Sequence, residues 1–403
     1  MYEERGRLTT GDENLKHLIN EQVKNIEISG IRKFANMVAD VEDMISFTIG
    51  QPDFHTPEHV KQAGIRAIEA NFTAYTPNPG DIKLRKAASQ YMQSKYGLTY
   101  NPETEVIVTV GASEAIDVAL RTILEPGTEV ILPGPVYTAY EPLIRLCHAT
   151  PVFVDTRDTG FKLTPEKIER AMTAQTRCII LPYPSNPTGV TLSKEELKAI
   201  ADLLMDKDIY VLADEIYSEL TYEEPHTSIA SFIPDQTIVL NGLSKSHSMT
   251  GWRIGLLFAP EWLAQNIVKV HAFNVSCASS ISQQAAVEAL TVGINDAETM
   301  KKEYMKRREL VCRRLDEMGL EYVRPSGAFY FFVKLPATTI LNSFDFAVDL
   351  AKKGKVAVVP GSAFSEYGEG YFRMSYACSM ETLKKGLNRI EYYIKNNERN
   401  LQK

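Results

Sequence analysis

The sequence predicts a two-domain α/β protein whose larger domain is built around a mostly parallel β-sheet. Short apolar runs rich in β-branched residues alternate with helical stretches from about Ser46 to Ala259. Continuous apolar runs of this length are typical of strands that are buried on both faces of a parallel sheet. The chain also has 403 residues, which is more than a single hydrophobic core usually contains.

The predicted strands of the larger domain follow one another along the chain, and each is followed by small or polar residues. They are Val106–Val110, Val130–Leu132, Cys178–Leu181, Tyr210–Ala213 and Ile238–Leu240. Between the third and the fourth of these runs, Ser193 and Glu196 form a capping-box pattern. This pattern predicts a helix whose first turn is capped by the Ser193 side chain.

The pattern changes after about Asp296. A charged amphipathic helix is predicted over residues 297–318, and apolar runs follow at Gly327–Val333 and Val356–Val359. Strands beside helices without regular alternation favour a smaller α+β domain. Roughly the first fifteen residues are expected to form a loosely ordered arm, and the N-terminal segment is expected to pack against the small domain, which makes that domain discontinuous. The predicted borders are 1–45 for the arm and part of the small domain, 46–295 for the large domain and 296–403 for the small domain.

Charge and composition exclude several classes of protein. The net charge is −7, with acidic and basic residues mixed along the chain, so neither nucleic acid nor an anionic membrane is expected as the main partner. Five cysteines without CxxC spacing favour reduced thiols over disulfides or a metal site. The N-terminus lacks an apolar signal segment, and no run is long enough to span a bilayer. We therefore expect a cytoplasmic protein.

The segment Asn241–Gly255 carries the most distinctive chemistry of the chain. Lys245 follows the apolar run Thr237–Leu240 and is surrounded by small and hydroxyl residues, with Arg253 eight positions later. A lysine crowded by a second cation at a strand end can lose its proton near neutral pH and attack a carbonyl. A lysine that binds pyridoxal phosphate covalently needs this property. The alternative is an ordinary solvated loop lysine. The residues that follow the other predicted strands distinguish between these two interpretations.

Two other strand ends offer groups that suit a phosphorylated ring, since ligands of open α/β sheets bind at the carboxyl ends of the strands. Gly111, Ala112 and Ser113 follow the first strand and open a helix, where backbone N–H groups can approach a phosphate. A plain strand-to-helix turn is the alternative. Asn186 lies in a Pro/Asn/Gly loop, and its bond to Pro187 can adopt the cis form. Such a loop could hold the amide to donate to a phenolate oxygen.

Further polar residues follow the later strands. Asp214 ends a buried strand, where an acid needs a cation such as a protonated pyridine nitrogen, although a helix N-cap is the alternative. Tyr217 can donate to the same phenolate oxygen as Asn186. Ser244 and Arg253 are candidate phosphate ligands, one through its hydroxyl and the other through its two-pronged guanidinium.

Together these segments resemble the class I/II, fold type I, pyridoxal-phosphate-dependent aminotransferases. The motifs GASEA, SNPTG, ADEIY and SKSHSMTGWRIG occur in the order of that family, and the match extends from Ile49–Phe54 to Phe372–Ser375. The resemblance implies a large domain with a mostly parallel seven-stranded sheet between helices, and a smaller discontinuous α+β domain. Lys245 would then be the catalytic residue that bonds the cofactor and moves the substrate proton.

The resemblance also implies a set of ligands for pyridoxal 5'-phosphate besides Lys245. Asp214 would hold the pyridine nitrogen, and Asn186 and Tyr217 would contact the phenolate oxygen. The remaining implied cofactor ligands are Ala112, Ser113, Ser244 and Arg253 for the phosphate, Tyr137 for stacking on the ring, and Tyr75 for the phosphate of the partner subunit. Because Tyr75 would cross the interface, the implied protein is an obligate homodimer with shared active sites.

For the substrate, the resemblance implies that Arg373 grips the α-carboxylate, with Gly50 and Asn186 beside it. The implied reaction moves an amino group from an L-amino acid to a 2-oxo acid, usually 2-oxoglutarate. Over its full length the chain is most similar to a bacterial group that transaminates N-acetyl-L,L-diaminopimelate in lysine biosynthesis. Arg32 is a candidate for recognising a distal carboxylate, and a surface role is the alternative.

Two other functions remain open at this point. A C–S β-lyase of the same fold needs the same lysine and electron sink, so the motifs do not separate it from a transaminase. A non-catalytic regulator of this fold usually carries a DNA-binding winged helix. Fewer than about fifty residues precede Gly50, and they contain no basic recognition helix, which disfavours the regulator.

Overall fold

The computed structural model describes residues 15–27 and 30–401, with side chains as far as residue 396. The predicted N-terminal arm therefore lies almost entirely outside the described residues. Within these ranges, no helix combines the length and the apolar character needed to cross a membrane.

The elements alternate along the chain as the apolar runs predict. The strands are β1 (Ile45–Ser46), β2 (Val106–Val110), β3 (Glu129–Gly134), β4 (Thr150–Asp155), β5 (Thr176–Leu181), β6 (Tyr210–Asp214), β7 (Thr237–Gly242), β8 (Ile254–Phe258), β9 (Tyr322–Val323), β10 (Tyr330–Lys334), β11 (Val356–Ala357), β12 (Val359–Pro360) and β13 (Tyr371–Ser375). The helices are α1 (Glu21–Lys24), α2 (Gly30–Met37), α3 (Glu58–Glu69), α4 (Ile82–Tyr96), α5 (Gly111–Ile123), α6 (Tyr140–Leu146), α7 (Pro165–Ala171), α8 (Lys194–Leu204), α9 (Leu243–Ser246), α10 (Glu261–Val275), α11 (Ser280–Thr291), α12 (Ala297–Glu317), α13 (Ser343–Asp349) and α14 (Met380–Leu401).

Seven of these strands form the large sheet, in the order β2-β8-β7-β6-β5-β3-β4. Only β8 runs against its neighbours, and the other pairs are parallel. This confirms the predicted mostly parallel seven-stranded sheet. Because β2, β5, β6 and β7 all point the same way, their carboxyl ends lie along one edge.

Both faces of the large sheet are covered, which explains why its strands are apolar without alternation. On one face, Ile179 and Val211 belong to a buried cluster that includes residues of α4, α8 and α11. On the other face, Ile180 and Leu212 belong to a cluster with residues of α5, α6 and α10. The predicted capping box is present at the start of α8, where Ser193 accepts from the Glu196 backbone N–H and the Glu196 side chain accepts from the Ser193 N–H.

The C-terminal third forms a second, four-stranded antiparallel sheet in the order β12-β13-β10-β9. The helix predicted over 297–318 is α12. The N-terminal segment packs here as expected, because β1 pairs with β11 and Phe34 and Phe47 join the buried cluster of this region. The domain borders at residues 45 and 295 stay predictions.

Two strand predictions in this region need correction. The run Gly327–Val333 becomes a strand only at Tyr330, because Gly327 forms an isolated bridge with Thr221, and Ala328 and Phe329 lie in the turn before β10. The run Val356–Val359 is not one strand. Its first half, β11, pairs with β1, and Val359 pairs with Arg373 of β13, so neighbouring residues belong to different sheets.

Candidate active site

A cavity of about 480 Å³ lies at the carboxyl edge of the large sheet, beside α9 and the second sheet. Apart from Tyr75 and the candidate Arg32, all of the predicted site residues line it: Gly50, Ala112, Ser113, Tyr137, Asn186, Asp214, Tyr217, Ser244, Lys245, Arg253 and Arg373. The structure thus brings together residues that are up to about 320 positions apart in the chain.

Lys245 lies on α9, the short helix that follows β7. Its Nζ donates to the backbone oxygen of Gly50 at 2.5 Å and lies 5.6 Å from the ring centroid of Tyr217. Burial, and then the positive charges of Arg373 and Arg253, lower the pKa of Lys245 to about 8. A useful fraction of the amine is therefore neutral, and thus nucleophilic, close to physiological pH.

Asp214 ends β6 and is buried at the base of the cavity. The Tyr140 hydroxyl donates to its Oδ2 at 2.7 Å, and the Ile216 N–H donates to its Oδ1 at 3.2 Å. Burial raises the pKa of the Asp214 carboxyl, although both hydrogen bonds favour the anion. A buried carboxylate of this kind gains from a cationic partner, and a protonated pyridine nitrogen is one.

Arg373 and Asn186 form the opposite wall. The Nη1 of Arg373 donates to Asn186 Oδ1 at 2.9 Å, and its Nη2 donates to the backbone oxygen of Thr48 at 2.6 Å. The Nε of Arg373 is buried and has no hydrogen-bond partner among the described residues. Because the Asn186 oxygen accepts from Arg373, its amide N–H groups remain available to donate to a ligand.

The Asn186–Pro187 bond is cis, as the sequence allowed, and so is the preceding Tyr183–Pro184 bond. Tyr217 lies beside this wall, and its hydroxyl is 2.8 Å from the hydroxyl of Tyr330. Burial raises the pKa of Tyr217 well above its ordinary value, so the phenol keeps its proton at neutral pH. It can therefore act as a donor.

The third part of the cavity is rich in donors. Gly111, the first residue of α5, has a φ of +75°, and a Cβ at this position would lie 2.3 Å from Nη2 of Arg253. Only glycine lets the Arg253 guanidinium approach the start of this helix so closely. The backbone N–H groups at Ala112 and Ser113 point out of the first helical turn, where an anion is stabilised. With the Ser244 hydroxyl, they form a donor set that fits a phosphate.

Three predicted residues need separate comment. Tyr137 lines the cavity and meets the ring of Tyr140 edge to face, with centroids 5.5 Å apart. Tyr75 is 87% exposed and lies outside the cavity of its own chain, so its role in a partner subunit stays a prediction. Arg32 is exposed on α2, although its neighbour Ile31 reaches the cavity wall.

The residues present fit pyridoxal phosphate in each of its parts. Lys245, whose pKa is lowered, lines the cavity in which the aldehyde would bind. The buried Asp214 can pair with the ring nitrogen, and the Asn186 amide and the Tyr217 phenol can donate to the ring oxygen. Arg253, which packs against Gly111, and the first backbone N–H groups of α5 can bind the phosphate.

Sequence reasoning missed three residues that complete this site. Tyr140 bonds Asp214, Tyr330 bonds Tyr217, and the backbone oxygen of Thr48 holds Arg373. Tyr330 stands in the aromatic run Phe329–Phe332, which predicted only a strand. A buried hydroxyl within an apolar strand was the available signal, because it needs a partner. A backbone acceptor such as Thr48 leaves no side-chain signal at all.

Comparison with known proteins agrees with this geometry. Residues 42–390 match the family described as aminotransferase class I and II. The chain is 60% identical over 94% of its length to a probable N-acetyl-LL-diaminopimelate aminotransferase of Bacillus subtilis, of which it covers 96%. It is 39% identical to aromatic-amino-acid aminotransferase 2 of Thermococcus litoralis, over 94% of this chain and 98% of that one.

Solved structures agree as well. The fold matches aspartate aminotransferase from Thermus thermophilus with maleate at a TM-score of 0.88 and 35% identity, covering 93% of this chain and 99% of that one. It matches an aromatic aminotransferase from Pyrococcus horikoshii at a TM-score of 0.86 and 39% identity, covering 91% and 99%. The chain therefore belongs to the class I and II aminotransferases and is a pyridoxal-phosphate-dependent enzyme that acts on amino acids and 2-oxo acids.

Proposed function

We propose that this aminotransferase transfers the amino group of N-acetyl-L,L-diaminopimelate to 2-oxoglutarate, or catalyses the reverse reaction, in lysine biosynthesis. The observation that carries this proposal is the 60% identity over nearly the whole length of the Bacillus subtilis relative whose name specifies that substrate. Relatives named for aspartate and aromatic amino acids are about 40% identical or less. A shared substrate is therefore better supported for the first relative.

The proposed roles divide the cavity into a substrate side and a cofactor side. On the substrate side, Arg373 binds the α-carboxylate, because its buried guanidinium keeps an unpartnered Nε and a planar fork that matches a carboxylate. Asn186 fixes this fork through Oδ1. The carbonyl oxygen of Gly50 accepts from Nζ of Lys245, and this contact would keep the amine on the substrate side of the cavity.

On the cofactor side, bound pyridoxal phosphate supplies the electron sink and the temporary carrier for the amino group. Asp214 would keep the ring nitrogen protonated, and Tyr140 keeps the Asp214 carboxylate oriented. Asn186 and Tyr217 would donate to the ring oxygen. Lys245 takes the Cα proton on Nζ, a role that suits an amine whose pKa is about 8 because both protonation states are populated near neutral pH.

We further propose that the enzyme is a homodimer with shared active sites. An exposed apolar patch supports this proposal, since Tyr75 and Phe273 are 87% and 95% exposed and Phe72 and Val275 are partly exposed. The two segments that carry these side chains lie next to each other, because the Ser280 hydroxyl donates to the backbone oxygen of Phe72 and Asn78 Nδ2 donates to that of Ser276. Exposed apolar patches of this kind mark contact surfaces between protein chains.

The five cysteines are all free thiols, which agrees with the reducing conditions of the cytoplasm. We therefore propose that the enzyme works in that compartment. Labelling of all five thiols in unfolded protein purified without reductant would support this, and oxidised cysteines would count against it.

The substrate proposal is tested by comparing kcat/KM for several amino donors with 2-oxoglutarate as the acceptor. The kcat/KM for N-acetyl-L,L-diaminopimelate should exceed the values for aspartate and phenylalanine by at least about tenfold. A tenfold difference corresponds to roughly 1.4 kcal/mol of additional transition-state stabilisation. A higher value for aspartate or phenylalanine would contradict it. Release of pyruvate and ammonia from cystathionine, faster than any transamination, would favour the β-lyase instead.

A further inference from the structure

Tyr330 occupies the wall between the two sides of the cavity. Its side chain is buried, with 1% of its surface exposed, and its hydroxyl is 2.8 Å from the hydroxyl of Tyr217. The Cζ of Arg373 lies over its ring, 4.5 Å from the centroid. A Cβ on Gly50 would lie 2.8 Å from the Tyr330 hydroxyl, so a glycine at position 50 leaves the space that this hydroxyl fills. One side chain therefore contacts three residues of the site.

The hydrogen bond between the hydroxyls of Tyr217 and Tyr330 has a defined donor once the cofactor is bound. Burial raises the pKa of both Tyr217 and Tyr330, so each carries one proton at neutral pH. If Tyr217 donates its proton to the ring oxygen of the cofactor, only its lone pairs remain, and Tyr330 has to be the donor between the two. A hydroxyl that accepts one hydrogen bond becomes a stronger donor in the next, because bonds in a chain polarise one another.

The ring of Tyr330 acts on the substrate side. The hydrogen bonds that fix the Arg373 guanidinium go to neutral acceptors, Asn186 Oδ1 and the Thr48 oxygen. Its remaining support is the face of the Tyr330 ring, with the Phe364 ring centroid at 5.1 Å. An aromatic face attracts a cation without neutralising it. Arg373 is thus held in place while its charge remains available for a carboxylate.

We propose that Tyr330 is a positioning residue for transamination, whose hydroxyl holds Tyr217 towards the cofactor and whose ring holds Arg373 towards the substrate carboxylate. This inference rests on the proposed roles of Tyr217 and Arg373. It separates into two effects, since Tyr330→Phe removes only the hydroxyl, whereas Tyr330→Leu removes the hydroxyl and the ring.

Both effects are measured on the protein with its cofactor bound and without turnover. The first measurement is the pH midpoint at which the absorbance of the bound cofactor changes, and the second is the dissociation constant of maleate, a dicarboxylate without an amino group. In Tyr330→Phe the midpoint should rise by roughly 0.5–1 unit, because a weaker donor stabilises the ring oxygen anion less. Its maleate affinity should stay within about twofold of the wild type. In Tyr330→Leu the dissociation constant should rise on the order of 3- to 30-fold.

Control variants separate positioning from general effects of packing. Tyr393→Phe also removes a buried tyrosine hydroxyl, which donates to Asp349 Oδ2 at 2.7 Å outside the cavity, and should move neither measurement. Tyr217→Phe should raise the midpoint at least as far as Tyr330→Phe. If Tyr217→Phe leaves the midpoint unchanged, the proposed role of Tyr217 fails. If it raises the midpoint and Tyr330→Phe does not, the role of the Tyr330 hydroxyl fails.

The ring has its own decisive comparison. Equal maleate affinities for Tyr330→Phe and Tyr330→Leu would refute the role of the ring. If the leucine variant does not fold, Tyr330→Met has a similar volume but a longer, unbranched side chain that adapts to the space of the ring, and it provides the same comparison. Neither measurement depends on which amino acid the enzyme converts, so a negative result with N-acetyl-L,L-diaminopimelate would overturn that substrate and leave this inference standing.

Discussion

Replacing Lys245 with methionine should stabilise the cofactor-free protein at neutral pH. The lysine is held in a cavity where burial, Arg373 and Arg253 disfavour its charge, and its pKa falls from 10.5 to about 8. At 1.36 kcal/mol per unit, this shift corresponds to at most roughly 3 kcal/mol of destabilisation. Methionine removes that cost but also loses the hydrogen bond from Nζ to Gly50, worth about 1 kcal/mol. A net gain of about 2 kcal/mol is expected.

The gain should depend on pH in a defined direction. Below a pH of about 8 the lysine is charged in both the folded and the unfolded protein, so the full cost of its charge is present. Between about 8 and 10.5 the unfolded chain binds more protons than the folded one, and wild-type stability rises with pH. The advantage of the methionine variant should therefore shrink across this window and disappear above it.

Urea unfolding of the two cofactor-free proteins, at equal protein concentration and at about pH 7 and pH 10, measures this difference. Lys86→Met is a matched control, because Lys86 is exposed on α4, and its free energy of unfolding should stay within about 0.5 kcal/mol of the wild type. A Lys245→Met protein that is less stable than the wild type at neutral pH, or a difference that does not vary with pH, would refute the reasoning.

Three further predictions concern individual contacts. Asp214→Asn keeps the shape of the buried side chain but removes the charge that would hold the ring nitrogen protonated. Steady-state kinetics should therefore show a fall in kcat of about 100-fold or more, while absorbance shows that the cofactor remains bound. An unchanged kcat would exclude this role. In Arg373→Lys, the single ammonium group cannot keep the contacts to Asn186 and Thr48 and also bind the substrate carboxylate through two hydrogen bonds. KM for the amino acid and for the 2-oxo acid should therefore rise by roughly 10- to 100-fold. Unchanged KM values would contradict the proposed role of Arg373. Tyr75→Phe should weaken cofactor binding several-fold, a change of about 1 kcal/mol in equilibrium dialysis. The Tm of the cofactor-free protein should not fall, because this side chain is 87% exposed within one chain. Unchanged cofactor affinity would argue against a shared site.

Much of the site could be predicted because its residues follow strands. Asp214 and Asn186 come at or after the ends of buried apolar runs. Because the carboxyl ends of parallel strands lie along one edge of a sheet, residues that follow such runs are expected to lie close together. Lys245 was predicted on the same basis. Although β4 and β8 were not among the predicted runs, the other five strands of the sheet were predictable, since strands buried on both faces leave continuous apolar runs. The reversed direction of β8 was not, because an apolar run carries no sign of its direction.

The contacts that orient the site could not be predicted in the same way. Tyr330 belongs to the second sheet, and its distance from Tyr217 depends on how that sheet packs against the large one. Tyr140 reaches Asp214 from the start of α6, which no local pattern connects to β6. The family resemblance implied that Gly50 lies beside the substrate carboxylate, but it could not identify the Tyr330 hydroxyl as the group that would collide with a side chain at this position.

The most direct measurement is the absorbance of the cofactor-loaded enzyme during two successive additions. N-acetyl-L,L-diaminopimelate alone should remove the visible band of the bound cofactor as the amino group is transferred, and 2-oxoglutarate should then restore it with formation of one equivalent of glutamate. A band that N-acetyl-L,L-diaminopimelate leaves unchanged but aspartate removes would contradict the proposed substrate. A band that no amino donor removes would contradict transamination at Lys245 itself.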